Sequence, residues 1–232
     1  MRGIFSSEGF IMRYGQTEEA RFIDRPNRFV AHVEKNGKIE TVHVVNTGRC
    51  RELLIPGARV ILHRPGTPGR KTEYDLIAVY KNDEMLINMD SMAPNRVVRE
   101  WLEEQCCEEI HPEYTYGDSR LDFMTVEKGK KTLLEVKGCT LEVDGIGYFP
   151  DAPTLRGVKH LHELIRARKE GWNAAVGFVI QMEGVRNVLP NRQTHPEFAD
   201  ALALARQEGV EVRGYLCRIL PDEVKIVEQT II

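Results

Sequence analysis

Three residues of this 232-residue chain have the types and spacing to do chemistry together: Asp122, Glu135 and Lys137. They lie in two apolar segments, residues 120–126 and 132–137, separated by Glu127-Lys-Gly-Lys-Lys131. That separator reads as a tight hairpin turn with Gly129 at its tip. With Lys128-Gly129 as the loop, Glu127 faces Lys130 and Asp122 falls opposite Glu135, with Cβ atoms roughly 5 Å apart. Lys137, two residues beyond Glu135, projects from the same face, while Leu121, Phe123, Leu134 and Val136 take the opposite one. Two adjacent carboxylates repel unless a cation lies between them, and both a divalent metal and a lysine qualify. Oxygen ligands from one or two carboxylates suit Mg²⁺, which keeps several waters and accepts phosphate oxygens as further ligands. A lysine beside it orients or deprotonates an attacking water and offsets charge developing on the phosphate. The expectation is Mg²⁺- or Mn²⁺-dependent phosphodiester chemistry, with Asp122 and Glu135 as ligands and all three residues catalytic. The competing reading is a solvated hairpin face on which Asp, Glu and Lys alternate without a ligand.

The elements around these residues change character midway. The first half reads as β-rich. Residues 28–34 and 38–45 flank Asn36-Gly37, a strong hairpin signal, and residues 58–63, 73–80 and 85–88 complete about five strands. Residues 47–54 read as one or two helical turns, and 65–71 as a loop of chain breakers. A small barrel of the OB or SH3 kind follows, and an OB barrel binds nucleic acids on its strand 2–3 face and adjacent loops. In the second half, Pro94 suits the first turn of a helix with Val97, Val98, Trp101 and Leu102 as its apolar stripe. After the hairpin come a helix over 154–169, an apolar strand over 174–180, a helix over 197–208, and strands over 210–219 and 224–228. This is a mixed α/β sheet with crossovers. The expected division is a barrel over 1–85 and an α/β domain over 86–232.

Several long motifs carry a family resemblance. They are Tyr116-Gly-Asp-Ser-Arg-Leu-Asp-Phe123, Leu134-Glu-Val-Lys-Gly138, Gly147-Tyr-Phe-Pro-Asp-Ala152, Arg156-Gly-x-Lys-His-Leu-x-Glu-Leu164 and Gly209-Val-Glu-Val212. Upstream, Arg25-Pro-Asn-Arg-Phe29, Asn46-Thr-Gly-Arg49 and Pro94-Asn-Arg-Val97 fit as well. Together they resemble the sugar fermentation stimulation protein A (SfsA) family over nearly the whole chain. The resemblance implies an N-terminal OB-like barrel, a C-terminal domain with the PD-(D/E)xK nuclease core, sequence-nonspecific DNA binding, and a regulatory role in sugar (maltose) metabolism. It leaves DNA cleavage open. It also points to Glu100 as a further metal ligand on the upstream helix, although helical geometry brings Glu104 closer to the apolar stripe, and a solvated helix face is the alternative.

Other residues offer binding chemistry. Arg25, Asn27, Arg28 and Phe29 combine basic, amide and aromatic groups suited to gripping phosphate and stacking a base. Arg49, Arg64, Arg70 and Lys71 lie in or beside loops and extend the expected DNA surface. Arg156 and Lys159, at the start of the 154–169 helix, are expected at phosphates. Asp151 reads as that helix's cap in preference to a metal ligand, and His160 as a hydrogen-bonded structural residue.

Composition narrows the classes. Net charge is −3, yet residues 1–80 hold 13 Lys and Arg against 9 Asp and Glu, while the rest hold 19 against 26. A basic first half fits DNA backbone contact and an acidic second half a metal site. Five scattered cysteines lack C-x-x-C spacing and read as reduced thiols. With no apolar run of membrane length and no signal-peptide stretch, the expected setting is the cytoplasm without membrane attachment. A homo-oligomer is compatible with the sequence. Three functions follow: a sequence-nonspecific DNA-binding protein with a divalent-metal site, a metal-dependent deoxyribonuclease, and a transcriptional cofactor using the fold as a scaffold. No helix-turn-helix signature points to operator reading.

Overall fold

The computed structural model describes residues 12–46, 48–105 and 107–232. Its first half contains β1 (Met12–Arg13), β2 (Thr17–Asn27), β3 (Val30–Lys35), β4 (Lys38–Val44), β5 (Arg59–His63), β6 (Asp75–Lys81) and β7 (Met85–Asn88). The β3–β4 hairpin turns at Asn36-Gly37, both at positive φ (53° and 75°), as an Asn-Gly turn requires. Alternation then puts Ala31, Val33, Val42 and Val44 inside. Six strands run in the order β4-β3-β2-β5-β6-β7. One edge of β6 pairs with β5; the other is divided between β4, at Asp75 and Leu76, and β7, from Ala78 to Lys81. That division closes the barrel.

β2 was not legible as a strand. Its Glu, Arg and Asp residues and Pro26 argue against one, yet Ala20 and Phe22 alternate inward. Arg28 and Phe29 consequently occupy the β2–β3 turn rather than a strand. Residues 48–54 form a single turn, with the Leu53 and Leu54 N–H groups both donating to the Cys50 carbonyl. The first sheet runs to Asn88, and β1 pairs not with the barrel but with the last strand of the chain.

The second half contains α1 (Ala93–Glu104), β8 (Glu109–Tyr116), β9 (Ser119–Glu127), β10 (Lys130–Cys139), β11 (Leu141–Val143), β12 (Ile146–Phe149), α2 (Leu155–Lys169), β13 (Asn173–Ile180), β14 (Val188–Pro190), α3 (Pro196–Gln207), β15 (Glu211–Leu220) and β16 (Glu223–Ile231). The seven-stranded sheet is ordered β1-β16-β15-β13-β10-β9-β8. β10, β13 and β15 are parallel, linked by crossovers through α2 and α3. The apolar run of β13 is buried from Ala174 to Ile180, as a central parallel strand requires. Val97, Val98 and Leu102 of α1 pack with Phe123, Leu134 and Val136, whereas Leu133 packs with Leu161 and Leu164 of α2. Leu121, expected to share the face of Phe123, joins the α2 cluster instead. The edge strand β8 and the small β11-β12-β14 sheet were not anticipated. Among the described residues, no helix is long and apolar enough to cross a membrane.

Polar contacts fasten the barrel to the second half. The Asn88 N–H donates to the Gln181 carbonyl (2.9 Å), and Gln181 Nε2 returns a bond to Asn88 Oδ1 (2.9 Å). Lys81 Nζ donates to the Glu142 carbonyl (2.8 Å) and to its carboxylate. Burial opposes ionisation of Glu142, but Lys81 and the Gly145 N–H outweigh it and hold the carboxyl below its ordinary value. A depressed carboxyl stabilises the fold above its unfolded value of about 4.3 and loses that contribution as pH falls through the lower folded value. Lys81→Ala should therefore destabilise the protein by about 2–3 kcal/mol at neutral pH. In urea titrations the deficit should shrink below about pH 4, and a deficit constant with pH would refute the ion pair's role.

Candidate metal and phosphodiester site

The β9–β10 hairpin forms in the expected register, from Glu127 opposite Lys130 to Phe123 opposite Leu134. There the ladder ends. At the next position the Asp122 side chain takes the place of a main-chain acceptor: the Val136 N–H donates to its Oδ2 (2.7 Å). The other oxygen, Oδ1, accepts from Asn95 Nδ2 of α1 (2.7 Å). Gly138 makes this approach feasible. A Cβ there would fall 2.3 Å from Gln181 Oε1 and 2.9 Å from Pro94 Cγ, so a side chain would push the start of α1, and Asn95 with it, away from β10.

Glu135 is only 3 % exposed. Its Oε1 accepts from Lys137 Nζ, which closes back along the same strand, and from His160 Nδ1 of α2. Arg156 Nε donates to the far nitrogen of His160 (3.4 Å), which fixes the imidazole with its proton on Nδ1. Glu135 Oε2 is buried and has no hydrogen-bond partner. Burial raises the Glu135 carboxyl's pKa, but His160 and Lys137 outweigh that and leave it below its ordinary value. Asp122 moves the other way, raised by burial and then by the charge of Glu135, with Val136 and Asn95 only partly compensating. Opposed shifts on coupled carboxylates mark a place where a cation would be stabilising.

Glu100 does not join this cluster. Its carboxylate accepts from the Met12 backbone and lies among Glu103, Glu104 and Lys225. Five residues separate it from Asn95, about 140° around the helix, so α1 presents an amide to Asp122 rather than a carboxylate. Asp151 does not cap α2. Thr154 does, its hydroxyl accepting from the Gly157 N–H (3.0 Å). Asp151 instead lies against the barrel loop, where a Cβ on Gly48 would come within 2.3 Å of its Oδ2. Among the described residues no three His, Cys, Asp or Glu side chains gather as a ligand set. The two carboxylates nevertheless fit a hard divalent ion, because Mg²⁺ is commonly held by one or two carboxylates and completed by water and substrate phosphate.

The basic residues divide into two groups. Arg25 is structural: its guanidinium donates to the carbonyls of Arg28, Asn46, Gly48 and Arg49, shaping the barrel loop. Asn27 is likewise occupied, its Oδ1 accepting from the Phe29 N–H (2.9 Å). Arg64 pairs with Glu73, and Arg70 with Asp75. Lys159 donates to the Asp118 carbonyl (2.8 Å) but remains exposed, as do Arg28, Phe29, Arg49, Lys71 and Arg156. Asn95 and the role of His160 as an orienting donor were missed. The contacts join residues 27 and 25 positions apart, and no local spacing signals them.

Residues 92–223 match a family model described as the sugar fermentation stimulation protein RE domain, and residues 23–89 one described as the SfsA N-terminal OB domain. A sugar fermentation stimulation protein homolog of Clostridium beijerinckii is 50% identical over 219 residues, covering 93% of this chain and 96% of that protein. One from Desulfitobacterium hafniense is 48% identical over 217 residues, covering 92% and 95%. Among solved structures, Pyrococcus furiosus SfsA, described in complex with Ca²⁺, superposes with a TM-score of 0.84 at 27% identity, covering 94% of this chain and 96% of that one.

Replacing His160 with Phe removes one donor from a buried carboxylate. The expected cost is about 1–3 kcal/mol, accompanied by a rise in the Glu135 pKa, read by carboxyl-carbon NMR titration. An unchanged Glu135 titration would show that His160 does not hold it.

Proposed function

We propose, on the premise that this chain belongs to the sugar fermentation stimulation protein (SfsA) family, that it is a DNA-binding, divalent-metal-dependent phosphodiesterase. The observation that carries the reading is the Glu135 carboxylate: buried, saturated on Oε1 by Lys137 and His160, with Oε2 bare and its charge felt at Asp122. A buried anionic oxygen without a donor is costly, and a metal ligand is one role that explains it. The Ca²⁺ reported with the Pyrococcus furiosus relative supports a divalent site, since Ca²⁺ and Mg²⁺ share oxygen ligands.

In this reading Asp122 and Glu135 Oε2 hold Mg²⁺ or Mn²⁺, which when bound supplies Lewis acidity and charge neutralisation at the scissile phosphate. Asn95 and the Val136 N–H fix Asp122; His160 fixes Glu135. Lys137, 15 % exposed at its side chain, is placed to orient the attacking water and to offset charge on the phosphate. Arg156, exposed and tied to His160, is placed to meet a neighbouring phosphate. Arg28, Arg49 and Lys71 extend that contact across the barrel without reading sequence. The effect on sugar fermentation carried in the family's name would then be exerted through DNA.

Lys137→Ala should reduce Mg²⁺- or Mn²⁺-dependent DNA cleavage at least about 100-fold while retaining Mn²⁺ binding by titration calorimetry. Asp122→Asn with Glu135→Gln should lose both. Absence of metal-dependent cleavage by the wild-type protein on single-stranded, duplex and branched DNA would sink the enzymatic reading and leave a binding protein.

A further inference from the structure

The barrel carries a cavity that phosphate contact alone does not explain. It encloses about 420 Å³, within the range of about 300–1,000 Å³ found for small-molecule sites. Val45 and Ile77 line it on the apolar side, and His43, His63 and Arg96 on the polar side. Two large apolar groups, Phe29 at 46 % exposure and Met92 at 61 %, are left in solvent beside it. The Arg28 guanidinium sits over the Phe29 ring, 4.7 Å from its centroid. The polar groups deeper in are already satisfied: Asp75 accepts from His43 (3.0 Å) and Arg70, and Asp90 from Tyr14 (3.1 Å) and the Met92 N–H (2.8 Å). Among the described residues no acceptor takes a hydrogen bond from Arg96, which lies exposed at the cavity wall.

This combination fits one chemical unit. An exposed aromatic ring and a thioether offer a π-face and soft contact to a flat heterocycle, imidazoles offer hydrogen bonds to its edge, and an exposed guanidinium beside them suits the attached phosphate. The cavity also adjoins a second one. Ser91 lines both it and a second cleft of about 400 Å³ that reaches Pro94 and Gly138, the neighbours in sequence of Asn95 and Lys137.

We infer that the Phe29–Met92–Arg96 cavity binds one unpaired nucleobase, so that the preferred substrate is single-stranded DNA, or the unpaired end of a duplex, rather than intact duplex. The inference rests on the proposed action on DNA and adds the strand state. A base in an intact duplex is paired and stacked, and can enter a pocket only after extrusion at a cost of a few kcal/mol.

The test is fluorescence anisotropy in EDTA, which prevents cleavage, with a labelled oligodeoxythymidylate, the same oligomer carrying abasic sites, and a blunt duplex. Wild-type protein should bind the thymidylate at least about tenfold more tightly than the abasic strand or the duplex. Phe29→Ala, at an exposed position where the fold is not at risk, should weaken thymidylate binding by roughly 5- to 150-fold, the range one stacked base contributes. It should leave duplex binding within about twofold. Equal binding of all three probes, or a Phe29→Ala variant unchanged toward thymidylate while wild-type cleavage persists, overturns the base pocket alone. Failure of every probe to bind overturns the DNA reading together with it.

Discussion

Keeping Glu135 ionised where it is 3 % exposed is the constraint on which the second half of this protein depends. Moving a carboxylate out of water costs several kcal/mol unless donors meet it. Three elements supply or shape those donors: β10 brings Lys137, α2 brings His160, and the parallel pairing of β10 with β13 holds the strand between two packed faces. Asp122 depends on the same arrangement. The point where β9 parts from β10 frees the Val136 N–H for it, and the close approach of α1 at Gly138 delivers Asn95. Both carboxylates are thus held by residues locked in packed elements, the condition for a preorganised site.

The barrel is not a loosely tethered module. It shares apolar clusters with α1 and with the strands around Met182, and Asn88, Gln181, Lys81 and Glu142 bond across the junction. Its loop over residues 46–49 is shaped from within by Arg25 and reaches Asp151 of the second half. A cleft of about 400 Å³ lies between the two halves, walled by Asn46 and Gly48 of the barrel loop and by Pro94, Gly138 and Asp151 of the second half.

Much of this was legible in the sequence where a local rule determines the outcome. Asn36-Gly37 and Lys128-Gly129 fixed two hairpin registers through turn chemistry, the second as far as Phe123 opposite Leu134, one position short of Asp122 and Glu135. Apolar periodicity located all three helices. What escaped depends on partners far away in the chain. β2 and β8 carry charges and a proline each, so only pairing identifies them as strands. Arg25 reads as a DNA contact until the fold surrounds it with carbonyls. Glu100 reads as a ligand until the helix phase turns it toward Met12. Thr154 was available as a cap by position alone, immediately before the first helical residue, whereas Asp151 lies three residues too early.

The account stands on Glu135 Oε2 being a metal ligand. The most direct measurement is an anomalous-difference map from crystals of the protein soaked in Mn²⁺. The account predicts a peak within coordination distance of both Glu135 Oε2 and an Asp122 oxygen, absent in crystals of the Glu135→Gln variant. A map without density there, or with the ion only at another group such as Asp151, would contradict it.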